Sequence, residues 1–166
     1  MSEPHAMRPC AFVLLRAGDR FLVSEMADRD DGRVYHRPPG GGIEFGERAS
    51  AAATRELREE FGLDIDEPRL LGVVENIFEQ HNGPHHEICF VFVADTTDEV
   101  LDRLDGTDVL DLSEGERETA RIFRADALLE QARPLYPDGL AELLAAEMAA
   151  SPAGWSGRGV ASSPDS

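Results

Sequence analysis

The chain has 166 residues, 42% of them hydrophobic and 30% charged, with a net charge of −17. That length suits one domain with a sizeable core. The acidic balance excludes long DNA or RNA as a partner, because polyphosphate binding draws on clustered Lys and Arg. The chain also lacks any apolar run of the ~18 residues that a membrane span needs.

The N-terminus, MSEPHAMRPC, has no basic segment followed by an apolar one, so no export signal is expected and a cytoplasmic location follows. Cys10 and Cys89 fall within apolar stretches and read as reduced, buried residues. Cys10 to Leu15 and Phe21 to Val23 predict a hairpin turned by Ala17-Gly18-Asp19. A polar loop, residues 27–33, follows, and then a short strand from Val34 to Arg37. That strand runs into Pro38-Pro39-Gly40-Gly41-Gly42, read as a loop in which glycine permits close backbone contact.

Glu47 to Phe61 predicts a helix: it holds mostly strong helix formers, has no internal Gly or Pro, and is followed by Gly62 as a C-terminal stop. After it come a strand from Arg69 to Gln80, a turn at His81 to Pro84, and a buried strand from Glu87 to Ala94. Residues 95–117 read as a long acidic loop, Thr119 to Arg124 as a strand, and Ala125 to Gln131 as a short helix. Pro137 to Ala149 reads as an amphipathic helix carrying Leu140, Leu143, Leu144 and Met148. From residue 150 the chain is rich in Ser, Gly and Pro and reads as a disordered tail, which leaves residues 1–149 as the domain.

Chemistry concentrates in the central helix. At about 100° per residue, Glu56 and Glu60 continue the line of Ala49 and Ala53, and Glu59 shares their arc. A solvated face should instead oppose the apolar stripe. Half-buried carboxylates need cations or donors, and oxygen-only ligands select hard ions such as Mg²⁺ or Mn²⁺.

Gly41, five residues, Glu47, seven residues, and then Arg55-Glu56-Leu57-Arg58-Glu59-Glu60-Phe61-Gly62-Leu63 resembles a complete Nudix box. The flanking strands extend the resemblance over roughly residues 8–148. It implies an α+β fold, the α/β/α sandwich of Nudix proteins with a mixed sheet. It also implies metal-dependent hydrolysis of a diphosphate linkage in a nucleoside diphosphate derivative by a metal-activated water. The implied metal ligands are Glu56, Glu60, Glu59 and the backbone carbonyl of Gly40. Arg55 is the implied orienting residue, with Glu47 and Glu59 as partners. Gly41 and Glu47 support the site, and a further acid is expected among Glu87, Glu116 and Glu118. Dimers are common in the family, so a homodimer is one expectation.

Other readings follow from particular residues. A non-catalytic nucleotide sensor would usually carry an eroded box, and this one is intact. Prenyl diphosphate isomerisation uses a cysteine near the glycines, and none is there. Elements typical of NADH, ADP-ribose and diadenosine-polyphosphate relatives are absent, Phe78 standing where ADP-ribose relatives carry proline. Nucleotide sugars, dinucleotides and noncanonical nucleoside triphosphates stay open. Tyr35, His36, Arg37 and Phe78 are positioned either to flank a base or sugar or to pack in the core. His81, His85 and His86 read as one exposed turn, for which solvation is favoured over substrate contact or zinc.

Overall fold

The computed structural model describes residues 5–111 and 116–150. Eight strands form one mixed sheet: β1 (Arg8–Ala17), β2 (Arg20–Ala27), β3 (Val34–Arg37), β4 (Gly40–Gly42), β5 (Arg69–Gln80), β6 (Gly83–Asp95), β7 (Asp108–Asp111) and β8 (Glu116–Arg124). The order is β5-β6-β1-β2-β8-β7, with β3 added to β2 and β4 to β1. Only β1 and β6 run parallel, in register from Arg8↔Glu87 to Arg16↔Asp95; the other pairs are antiparallel.

Four helices cover the two faces: α1 (Ala49–Phe61), α2 (Asp98–Leu104), α3 (Ala125–Glu130) and α4 (Leu140–Ala150). Strand alternation assigns the layers. On β1, Ala11, Val13 and Leu15 pack with Ala52, Ala53 and Leu57 of α1 and Leu101 and Leu104 of α2. Leu14 points the other way and joins Leu128 of α3 and Leu140 and Leu144 of α4. Helices on both faces are why β1 reads as an unbroken apolar run. The expected α/β/α sandwich with a mixed sheet is the fold observed. No helix among the described residues is long and apolar enough to cross a membrane.

The sheet divides next to the candidate site residues. β1 and β2 pair only from Leu15↔Leu22 to Ala17↔Arg20. Beyond that point β1 takes β4 as its neighbour, while β2 takes β3 and β8. Pro38 and Pro39 carry the chain from one ladder to the other, and Val13 N–H donates to the Pro39 carbonyl at 2.9 Å.

Several expectations need correction. The three glycines are the strand β4, not a loop; without side chains they lie flat against Cys10 to Phe12. Helix α1 starts at Ala49, and Glu47 precedes it in a turn where its carboxylate accepts from Glu44 N–H at 3.0 Å. The supposed loop over 95–117 contains α2 and β7. Its acids Asp98 and Glu99 occupy the first turn of α2, where negative charge meets the positive end of the helix, and Thr97 caps it. The last helix starts at Leu140, three residues beyond Pro137. The tail from 151 lies outside the described residues.

Candidate active site

Helix α1 presents Arg55 as the hub of the site. Its Nε donates to Glu47 Oε1 at 2.8 Å, and its Nη2 to Glu47 Oε2 at 3.1 Å and to the Gly42 carbonyl at 3.0 Å. Its Nη1 donates to Glu56 Oε1 at 2.9 Å and to Glu59 Oε2 at 3.2 Å. One guanidinium thus ties the helix, the preceding turn and β4 together. These bonds hold the Glu47 carboxyl below the usual carboxylate range and push the Arg55 pKa up.

Glu56 lies against β4. Its side chain is 14% exposed, and a Cβ built on Gly41 would stand 2.7 Å from its Oε1. Glycine at 41 therefore makes room for the carboxylate. Glu60, one turn on, is half-buried. Glu59 is 59% exposed and turns away from the apolar stripe, so the shared arc read for all three acids holds for Glu56 and Glu60 but not for Glu59. Gly40 sits closer still to β1, at φ +149°, with its absent Cβ 2.1 Å from the Ala11 carbonyl oxygen.

Two of the acids outside the helix have partners of their own. Glu87 on β6 is buried on the opposite sheet face, 3.5 Å from Asn76 Nδ2 and 3.8 Å from Arg8. Glu118 on β8 is buried and accepts from Arg37 Nη2 at 2.8 Å. The Glu116 side chain lies outside the described residues. The histidines are separated as well: only His81 is in the turn, and His85 and His86 are successive residues of β6 that alternate faces. His85 stacks on Phe78 at 5.0 Å, and His86 Nε2 meets Glu75 Oε1 at 2.7 Å. A shared zinc site is thereby excluded for His85 and His86.

A cavity of about 370 Å³ opens on the Arg8 and Phe12 side of β1. Its walls come from the segment 28–37, the tip of the β5–β6 hairpin and the connection 134–137, with Phe12 and Arg8 from β1. Tyr35 meets Tyr136 edge-on at 5.5 Å. The connection is pinned to β3 by His36: its N–H donates to the Pro134 carbonyl at 2.9 Å, and its carbonyl accepts from Tyr136 N–H at 2.8 Å. The fully buried His36 ring contacts Glu25 at 3.0 Å, which holds the Glu25 carboxyl low. Arg8, Asn76 and Tyr136 were not singled out from sequence. The signal for Asn76 was strand parity, since it pairs with Glu87 across β5 and β6.

A family model, the NUDIX domain, matches residues 6–145. The chain belongs to the Nudix hydrolase family. A human Nudix relative, diphosphoinositol polyphosphate phosphohydrolase 3-alpha, is 34% identical over 105 residues, or 63% of this chain and 58% of that protein's length. A MutT Nudix hydrolase from Burkholderia pseudomallei superposes with a TM-score of 0.59 at 20% identity, over 85% of this chain and 98% of that one. A mutT/nudix family protein from Listeria innocua gives 0.60 at 20% identity, over 86% and 92%. At such identities the two structures establish the shared fold alone.

Nudix hydrolases generally use divalent metals and act on small phosphorylated substrates. Glu56 and Glu60 are hard oxygen donors one turn apart, which fits the preference of such ions. Among the described residues, no three His, Cys, Asp or Glu side chains converge as a ready-made metal cluster. Arg55 supplies the positive charge beside Glu56 and Glu59.

Proposed function

We propose that this Nudix enzyme is a metal-dependent diphosphohydrolase. Its substrate is a nucleoside diphosphate derivative: a nucleotide sugar, a dinucleotide or a noncanonical nucleoside triphosphate. The observation that carries the reading is the Arg55 network, which anchors the box glutamates to β4 while Gly41 leaves space for the Glu56 carboxylate.

Glu56 and Glu60, with Glu59 and the Gly40 carbonyl, are the residues to hold Mg²⁺ or Mn²⁺. Such an ion, when bound, neutralises charge on the diphosphate and acidifies a water. Arg55 positions the glutamates rather than touching substrate. Water attacks one phosphorus, the bridging P–O bond breaks, and a glutamate takes the proton. Of the acids outside the box, Glu87 lines the cavity and Glu118 is buried against Arg37. Buried free thiols at Cys10 and Cys89 suit a reducing compartment, and we place the enzyme in the cytoplasm.

The test is phosphate release from a panel of nucleoside triphosphates, nucleotide sugars and dinucleotides with Mg²⁺ and with Mn²⁺, beside Glu60→Gln. The human relative's name adds a diphosphoinositol polyphosphate to the panel. Cleavage that disappears in the variant supports the assignment. Wild-type turnover by Glu60→Gln refutes it, and tight binding without cleavage by the native protein would mark a sensor instead.

A further inference from the structure

The cavity gathers arginines in a chain that is acidic as a whole. The sequence carries 33 acids against 16 bases, and all 16 bases are arginine. Four of them, Arg8, Arg29, Arg33 and Arg37, line this one cavity beside Asp28, Glu79 and Glu87; Arg8 pairs with Glu87, Arg33 with Asp31 and Arg37 with Glu118. Guanidinium is the cation best matched to phosphate, because its planar fork donates two parallel hydrogen bonds.

Arg37 is more enclosed than Arg8 or Arg33, its side chain 18% exposed against 47% and 72%. Its Nη2 donates to Glu118 Oε1 at 2.8 Å, and its Cζ stands 5.6 Å over the Phe12 ring. Glu118 is 1% exposed, and its Oε2 has no hydrogen-bond partner among the described residues. A buried ion pair of this kind is weak evidence for stability, since desolvation offsets the attraction. Its geometric effect is definite: the guanidinium is held at the cavity wall before any ligand arrives. Preorganisation of that sort raises affinity by removing the ordering cost at binding.

The cavity is also separate from the box. None of Glu56, Glu59 and Glu60 lines it. Arg8 stands at the join, for its guanidinium would meet a Cβ on Gly42 at 3.1 Å while it also lines the cavity. Gly42 thus links the two places: its carbonyl accepts from Arg55 at 3.0 Å, and Arg8 packs over it from the cavity side.

We propose that this cavity binds a second phosphate group of the substrate, an ester on the part that is not cleaved, with Arg37 as its specificity-determining contact and Glu118 as the residue that positions Arg37. This deepens the hydrolase reading by naming a feature of its substrate, but binding at the cavity requires neither metal nor turnover. The phosphate ester has two sources, a phosphorylated sugar or cyclitol ring and a phosphorylated nucleoside.

The experiment is calorimetric titration of the full chain carrying Glu60→Gln, with divalent ions chelated. One matched pair is ADP-ribose against its 2′-phosphorylated form; the other is inositol against inositol hexakisphosphate. At least one phosphorylated member should bind ~tenfold or more tightly than its partner, as expected for a charge-assisted contact. Which pair responds identifies the source. Arg37→Gln with Glu118→Gln replaces the ion pair by a neutral one, and the affinity ratio should fall about tenfold. Should that double variant fail to fold, Arg29→Gln with Arg33→Gln on the polar loop carries the same expectation. Equal affinities within both pairs overturn the proposal, as does a folded variant that keeps the ratio. Failure of the hydrolase reading would show separately, as absent turnover by the native protein with the affinity ratio intact.

Discussion

Two adjacent glycines should fail in different ways. A methyl group on Gly41 meets only the end of the Glu56 side chain, 2.7 Å from Oε1, 2.9 Å from Cδ and 3.1 Å from Oε2. The φ of Gly41 is outside the positive region, so alanine is sterically acceptable to the backbone. Ordinary contact begins near 3.4 Å, so the carboxylate must move by about 0.7 Å, which its flexible side chain allows. The stability cost is one weakened Arg55–Glu56 hydrogen bond, about 1 kcal/mol, or about 2–4 °C in melting temperature for a domain of this size. The kinetic cost is larger, because a misplacement near 1 Å at a reacting centre costs roughly 100-fold. Gly41→Ala is therefore expected to fold, to melt within a few degrees of the native protein, and to lose about 10- to 100-fold in kcat. Gly40→Ala differs in kind. Its methyl group would lie 2.1 Å from the Ala11 carbonyl oxygen and 2.8 Å from Phe12 Cα, both backbone atoms, at φ +149°. That variant should lose the β1–β4 ladder and much of its stability. The paired assay is thermal denaturation by circular dichroism beside steady-state turnover on the best substrate found. Full activity in Gly41→Ala would refute the role given to Glu56, and native stability in Gly40→Ala would refute the packing argument.

Arg55→Lys should destabilise the protein by about 1–3 kcal/mol and lower kcat, since an ammonium cannot span Glu47, Glu56 and the Gly42 carbonyl together; urea denaturation checks the first part. Acid should weaken the fold in a defined window. Arg55 holds the Glu47 carboxyl low, His36 that of Glu25, and Arg69 that of Glu147. The unfolded chain binds protons at these groups near pH ~4.3 while the folded one still resists, so stability is complete above that value and is lost as pH falls through the lower folded values. The urea midpoint should be level from about pH 6 to 5 and fall below about pH 4, with a shallower fall in Glu47→Gln. Burial pushes the Cys10 thiol up to about 12, so a thiol reagent at neutral pH should label it only after unfolding. Leu144→Ala removes a fully buried contact between α4 and the sheet and should cost about 2–5 kcal/mol, read as a lower urea midpoint.

What the sequence discloses about this protein is what its physics keeps local. The C-terminal end of α1 is legible because Gly62 takes a left-handed φ of 65° and closes the helix onto Arg58 and Leu57. β1 and β6 are legible because strands covered on both faces carry continuous apolar runs. Glu56 is legible because it shares the line of Ala53, which is fully buried. The acidic stretch after Asp95 misleads: composition suggested a loop, yet Thr97 caps a helix there and Leu101 and Leu104 bury at helical spacing. The cavity is illegible for a different reason. Arg37 and Glu118 are 81 residues apart, and what unites them is that β3 and β8 both pair with β2, so that Arg37 and Ala120 face the same residue, Ser24. No local period encodes that register. The box is legible as a unit, since one helix and one glycine strand form it. On the proposal made for the cavity, the substrate's other end meets side chains that only the assembled sheet brings together, and substitutions at Arg37 or Glu118 should alter specificity while every box residue stays the same.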